Sequence, residues 1–101
     1  MAKYNISKQA TEDLYRIWEY TVDSWSEEQA DKYYSVLEGA FNRIASHPLV
    51  IGRKCDVILP GLRVYHVRRH MVFYMLQPDG RVLIVRVLHE KMDYSQHLPR
   101  P

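Results

Sequence analysis

Cysteine is almost absent: Cys55 stands alone among 101 residues. One thiol excludes an internal disulfide framework, suits a reducing compartment and offers little basis for thiol catalysis. Glycine is scarce too, at four. Gly52, Gly61 and Gly80 stand singly where turns are expected, so no glycine-rich phosphate loop is present. The longest apolar run, residues 71–76, spans six residues, against the roughly 20 that a membrane helix needs. No basic-then-apolar leader opens the chain, so no signal peptide is expected and the cytoplasm is the expected compartment. No repeat or low-complexity linker divides it, which leaves one domain over 1–101 with a flexible tail over about 95–101.

Neither sign of charge dominates, with 14 Lys and Arg against 12 Asp and Glu. The balance hides a split: residues 1–51 carry −3 and residues 52–101 carry +5. The second half therefore offers a basic surface.

What the chain does have is clear periodicity. Alternation over residues 1–6 reads as a short strand. Ser7 is a helix N-cap, and Glu12 and Asp13 are expected to place negative charge near that helix start. Ala10, Leu14, Ile17 or Trp18, Thr21 or Val22, and Trp25 recur on one face of a helix from about 8 to 24. Ser26-Glu27-Glu28-Gln29 forms a capping box that opens a second helix, and Pro48 stops it after His47. Its apolar face is Ala30, Tyr33, Leu37, Ala40 or Phe41, and Ile44. The short break between the helices implies an antiparallel hairpin.

Residues 49–60 read as loop or irregular extended chain. Strands are expected over 62–67, 71–76 and 82–88, joined by an Arg68-Arg69 link and a Pro78-Asp79-Gly80 turn. The wholly apolar middle run belongs near the centre of a sheet. The fold class is α+β in the order β-α-α-β-β-β. A helical hairpin packs on one face of a small, mostly antiparallel sheet, with the first strand beside a C-terminal strand.

Five histidines prompt a metal search, but His66 and His70 flank a strand–strand link, and no CxxC, HExxH or acidic cluster supports them. No metal is expected. The serines single out no hydrolytic triad; Ser7 and Ser26 are explained as caps. The arginines say more. Arg63, Arg68, Arg69, Arg81 and Arg86 fall on or beside the sheet, and the planar guanidinium suits carboxylates and phosphates. Strand alternation sets Arg86 opposite Val85 and Val87, projecting from the face without helices. His89 follows the last strand, with Glu90, Met92, Asp93 and Tyr94 beside it. That group fits either acid–base work or a role for His89 and Asp93 in pinning the tail. Tyr15, Trp18, Tyr20 and Trp25 read mainly as helix-face packing, with a tyrosine or tryptophan at the rim available to anchor a partner.

Longer spacings carry a resemblance. Tyr4-x-Ile6-Ser7-x-x-Ala10-x-x-Asp13-Leu14-x-x-Ile17-x-x-Tyr20 is followed by Trp25-Ser26-x-x-Gln29-Ala30-x-x-Tyr33. Pro48-x-x-x-Gly52, His70-x-x-Phe73-Tyr74 and Val85-Arg86-Val87-Leu88-His89-x-x-Met92-Asp93 come after. In this order over about 90 residues the chain resembles the ParE branch of the RelE/ParE toxin superfamily. The resemblance implies a toxin of a type II toxin–antitoxin pair that acts on DNA gyrase and blocks replication. It implies no cofactor and no catalytic site of its own. It also implies a ParD-like antitoxin that lays a helix by the helical hairpin and a strand along the sheet, in a hetero-oligomer. Neither a membrane nor direct nucleic-acid binding is expected. Candidate contacts to target or antitoxin are Arg63, Arg68, Arg69, His70, Arg81, Arg86, His89, Met92, Asp93, Tyr15 and Trp18.

The alternative is a RelE-like endonuclease acting on messenger RNA at the ribosome. Arg63, Arg86, His89 and Tyr94 would then activate the 2′-hydroxyl, stabilise the phosphate and protonate the leaving oxygen. Tyr65 and His70 stand near positions where that branch places basic residues, and the Leu-His-x-x-Met-Asp ending is that of ParE. A third reading is a partner-binding module without toxicity.

Overall fold

Both helices start where a serine hydroxyl satisfies a backbone amide that has no partner within the helix. Ser7 Oγ accepts from Ala10 N at 3.0 Å, and helix α1 runs Lys8–Ser24. Ser26 Oγ accepts from Gln29 N at 3.0 Å, and α2 runs Glu27–Ser46. The amides of Trp25 and Ser26 both return to the Thr21 carbonyl, which closes α1 and reverses the chain. Helix α2 carries Glu27 and Glu28 in its first turn and Arg43 in its last, each favourable against the helix dipole. The first turn of α1 holds no acidic residue. The expected dipole role for Glu12 and Asp13 is therefore corrected: both lie one turn further in, and Asp13 serves the sheet.

The structure, a computed structural model, describes residues 4–93 and 96–98. The sheet contains β1 (Tyr4–Ile6), β2 (Arg53–Lys54), β3 (Leu62–Val67), β4 (His70–Leu76) and β5 (Val82–His89), in the order β1-β5-β4-β3-β2. Strands β1 and β5 pair in parallel and every other pair is antiparallel. The apolar run does occupy the centre: Met71, Val72, Phe73 and Tyr74 are all buried in β4. Strand β2 is a short paired segment inside the stretch expected as loop, held by Arg53↔Val64 and Lys54↔Arg63. The β3–β4 link turns through Arg68 at φ 56, a left-handed conformation that costs a non-glycine residue on the order of 1–2 kcal/mol.

The core lies on both faces of the sheet. Helix residues Ala10, Leu37, Ala40, Phe41 and Ile44 pack on Val67, Val72, Tyr74, Val82, Ile84 and Val87. On the other face Leu62, Val64, Met71, Phe73, Val85 and Leu88 form a second cluster. Ile58 and Leu59 cover part of it, and Leu98, only 6% exposed, folds back from the C-terminal segment to join it.

Two expectations fail for identifiable reasons. Val85 and Val87 do not share a face. Phe73 pairs with Arg86 and Tyr74 with Ile84, so a bulge leaves Val85 without an opposite residue and breaks the alternation. Of Tyr15, Trp18, Tyr20 and Trp25, expected mainly as helix-face packing, three are not packed. Tyr15, Tyr20 and Trp25 are 65%, 70% and 76% exposed. The buried face of α1 is a narrower stripe of Ala10, Asp13 and Thr21, flanked by the partly buried Leu14 and Ile17.

Candidate functional site

Two of the five sheet arginines are fastened inside the molecule. Strand β5 continues beyond the end of β1, so its outer backbone groups need other partners. Helix α1 supplies them. Ser7 N donates to Ile84 O at 3.0 Å, Ser7 Oγ donates to Val85 O at 2.7 Å, and Val87 N donates to Asp13 Oδ2 at 3.0 Å. Arg86 then grips the same carboxylate with both arms of its fork, Nε to Oδ2 at 2.8 Å and Nη2 to Oδ1 at 2.8 Å. Its Nη1 donates to His97 O at 2.7 Å. Asp13 is only 5% exposed, and the hydrogen bond from this carboxylate raises the Arg86 pKa above its ordinary value. Arg86 therefore does not project free from the sheet as alternation suggested. It ties α1, β5 and the C-terminal segment together.

Arg63 is a second brace. Its Nε donates to the Tyr74 hydroxyl at 3.2 Å, and its Nη2 reaches the carbonyls of Leu49, Ile51 and Gly52 at 3.4, 3.5 and 3.3 Å. The Tyr74 hydroxyl lies 2.6 Å from Ile51 O and 2.8 Å from Pro48 O. Gly52 sits at φ 79, where a Cβ would stand 2.6 Å from that hydroxyl, so the loop after α2 closes only around glycine.

Other candidates do gather, at the corner where β3 turns into β4. His70 and His89 are register partners across β4 and β5, with rings 5.4 Å apart at 82°. Tyr33 Oη is 2.6 Å from His70 Nδ1. Burial, and then the neighbouring His89, lower the His70 pKa from 6.5 to about 4. A neutral ring accepts the tyrosine proton at Nδ1 and keeps its own on Nε2. Burial also raises the Tyr33 pKa. His89 Nδ1 accepts from Lys91 N at 3.1 Å. His66 Nε2 is 2.9 Å from Glu90 Oε1, and Glu90 N donates to Arg69 O at 2.9 Å. Arg68 and Arg69 stand exposed in the turn. The corner can thus present guanidinium and imidazole donors to an anionic partner.

The remaining candidates are dispersed. Arg81 lies exposed at the opposite end of the sheet, beside the turn from β4 to β5. Met92 and Asp93 are exposed just past β5, where Asp93 Oδ2 accepts from Gln96 Nε2 at 3.1 Å. Trp18 is half-buried along the α1–α2 seam near Leu14, Tyr33, Tyr34 and Leu37, and Tyr15 is solvent-facing. Tyr94 lies outside the described residues. Among the described residues no group of three or more His, Cys, Asp or Glu is placed to hold a metal ion, and no helix is long and apolar enough to cross a membrane.

Sequence reasoning missed Asp13, Tyr33, the His66–Glu90 pair and Tyr74 as organising residues. One signal was available for Asp13: an arginine between two valines on a core strand requires a buried carboxylate.

Comparison with known proteins agrees with this architecture. A family model described as ParE toxin of type II toxin-antitoxin system, parDE, matches residues 4–94. Toxin ParE1 of Mycobacterium tuberculosis (strain H37Rv) is 39% identical over 97 residues, which cover 96% of this chain and 98% of that protein. Toxin ParE1 of Caulobacter vibrioides is 37% identical over 98 residues, covering 97% and 99%. Toxin ParE of Escherichia coli is 30% identical over 98 residues, covering 97% and 94%. Among solved structures, a chromosomal ParDE toxin–antitoxin system from P. aeruginosa superposes with TM-score 0.70 at 18% identity, covering 88% of this chain and 96% of that one. The toxin–antitoxin complex RelBE2 from Mycobacterium tuberculosis superposes with TM-score 0.63 at 20% identity, covering 87% and 96%. These two likenesses establish the shared fold. With the family match spanning almost the whole chain, and full-length relatives at 30–39% identity, the chain belongs to the ParE toxin family of type II toxin–antitoxin systems.

Proposed function

We propose that this toxin blocks replication by acting on DNA gyrase, and that a ParD-like antitoxin neutralises it. The reading is carried by what Arg63 and Arg86 are doing. A RelE-type ribonuclease would need such arginines free to meet a phosphate in flight. Here one holds Asp13 and a C-terminal carbonyl, and the other holds Tyr74 and the loop after α2. A toxin that works by docking has no such need, and in this reading the chain uses no cofactor and makes or breaks no bond itself. The target- and antitoxin-facing residues proposed are those left exposed or half-exposed: Arg68, Arg69, His70 and His89 at the sheet corner, Met92 and Asp93 beyond β5, Arg81 at the far turn, and Tyr15 and Trp18 on α1.

The test uses purified full-length chain with gyrase and supercoiled plasmid. Supercoiling should stop and cleaved DNA should accumulate, and premixing with the antitoxin encoded beside the toxin should abolish both effects. Unimpaired gyrase at large molar excess, together with message cut in a translation mixture, would replace this reading with the ribonuclease one. No growth defect on expression without a partner would favour a binding module instead.

A further inference from the structure

A cleft of about 390 Å³ opens between α2 and β3, bordering the histidine corner, with Ser35, Gly39 and Arg43 on one wall and Tyr65, His66 and Arg68 on the other. Two locally unfavourable choices shape it. Gly39 sits inside a helix, where alanine would be more stable, and a Cβ there would lie 3.5 Å from Arg43 Nη1. The Arg43 guanidinium thus reaches back over the helix to ordinary contact distance of that position. Arg68 takes φ 56, which glycine or asparagine adopts more readily. Both choices cost local stability, and they meet at one place. Neither guanidinium has a carboxylate partner among the described residues; the one ion pair at the cleft is His66–Glu90. Strand β2 pairs with β3 only at Arg63 and Val64, so the chain beyond, where the cleft lies, is open on that side.

We infer that this cleft receives carboxylate side chains from an acidic segment of a protein partner, with Arg43 and Arg68 as the paired receptors. The partner's identity as the antitoxin rests on the reading above; the carboxylate chemistry does not. Glu90 decides against a nucleic-acid strand. It stands at this rim bonded to His66 at 2.9 Å, where a continuous phosphate backbone would meet its charge. A peptide can place one or two carboxylates on the arginines and avoid it. Two guanidiniums without a longer basic track also suit separated carboxylates better than a regular row of phosphates.

The experiment titrates a hexaglutamate peptide into isotopically labelled full-length chain at low ionic strength, with hexaserine and dodecathymidylate in parallel arms. The backbone amide signals of Gly39, Arg43, Val67 and Arg68 should move with hexaglutamate and not with hexaserine. R43Q/R68Q should weaken hexaglutamate at least fivefold, and K8Q/K32Q, which removes equal charge at helix positions that do not line the cleft, should stay within twofold of the parent. R68G separates binding from folding: its thermal midpoint should hold or rise while the peptide is lost. Equal weakening by K8Q/K32Q would overturn the proposal as an effect of net charge. Binding retained in R68G would also overturn it, as would dodecathymidylate binding more tightly than the peptide through the same two arginines. Neither gyrase nor antitoxin is present, so these outcomes are independent of the supercoiling assay.

Discussion

The two edges of the sheet treat the end of their longer strand in opposite ways. On the β1–β5 side, β5 outruns its neighbour, and α1 seals the remaining backbone with Ser7 and a buried Asp13 that Arg86 holds in place. On the β2–β3 side, β3 also outruns its neighbour, and among the described residues no strand pairs with it beyond Val64 on that side; the cleft opens there with Arg43 and Arg68 on its walls. The same geometric problem, a strand longer than its partner, is solved on one side and left available on the other. The sealed side resists further strand pairing. Residue type alone is therefore a poor guide to role, because what decides between brace and contact is whether a carboxylate or carbonyl lies within reach.

Breaking the sealed side should have the largest effect. Asp13→Ala leaves Arg86 without its counter-ion and Val87 N without an acceptor, for a loss of roughly 3–5 kcal/mol. Chemical denaturation measures it, and a loss under 1 kcal/mol would mean that packing alone seals that edge. Tyr74→Phe should cost less, about 1–3 kcal/mol, by leaving the Ile51 and Pro48 carbonyls and Arg63 Nε short of a partner. Here the readout is the thermal midpoint, and an unchanged midpoint would show that Arg63 needs no hydroxyl to brace the loop.

The histidine corner adds a pH effect. Folded His70 stays neutral down to about pH 4, while in the unfolded chain it takes a proton near 6.5. Between those values the unfolded state binds more protons, so His70's share of stability is whole above about pH 6.5 and drains away as pH falls toward 4. His70→Gln should flatten that part of the melting-point-versus-pH curve; an equal slope in the variant would place the titration elsewhere. The smallest effect belongs to Arg69→Ala. Its side chain is exposed, and stability should move by no more than about 0.5 kcal/mol. A larger change would make Arg69 a brace like Arg86.

Local features of the sequence were legible where their causes are local. Ser7 and Ser26 announce helix starts, Pro48 a helix end, and Pro78-Asp79-Gly80 a hairpin, each through a contact within a few residues. The unbroken apolar run around Phe73 marks the central strand because both of its faces are covered. Site geometry was less legible. Arg86 and Asp13 are 73 residues apart in sequence, and the bulge that moves Val85 depends on how β4 and β5 meet. Nothing near Trp25 or Tyr20 tells that the buried stripe of α1 is too narrow to include them. Ile58, Leu59 and Leu98 lie in segments without regular period, so their cover over the second face was invisible to any search for periodicity.

The parallel pairing of β1 with β5 has a consequence for the order of synthesis. The second strand of the sheet in space is the last to be made: Tyr4 waits for Val82, and Ile6 for Ile84. A nascent chain that has not yet released residues 82–89 has a helical hairpin and a β3–β4 hairpin, but β1 lacks its partner and β4 has a bare edge. At about 5–20 residues per second of translation, the sheet stays incomplete for the seconds between the synthesis of β1 and that of β5. A prematurely ended product lacks the strand that joins its two halves. The topology thus withholds a closed sheet from any chain that has not been translated past β5.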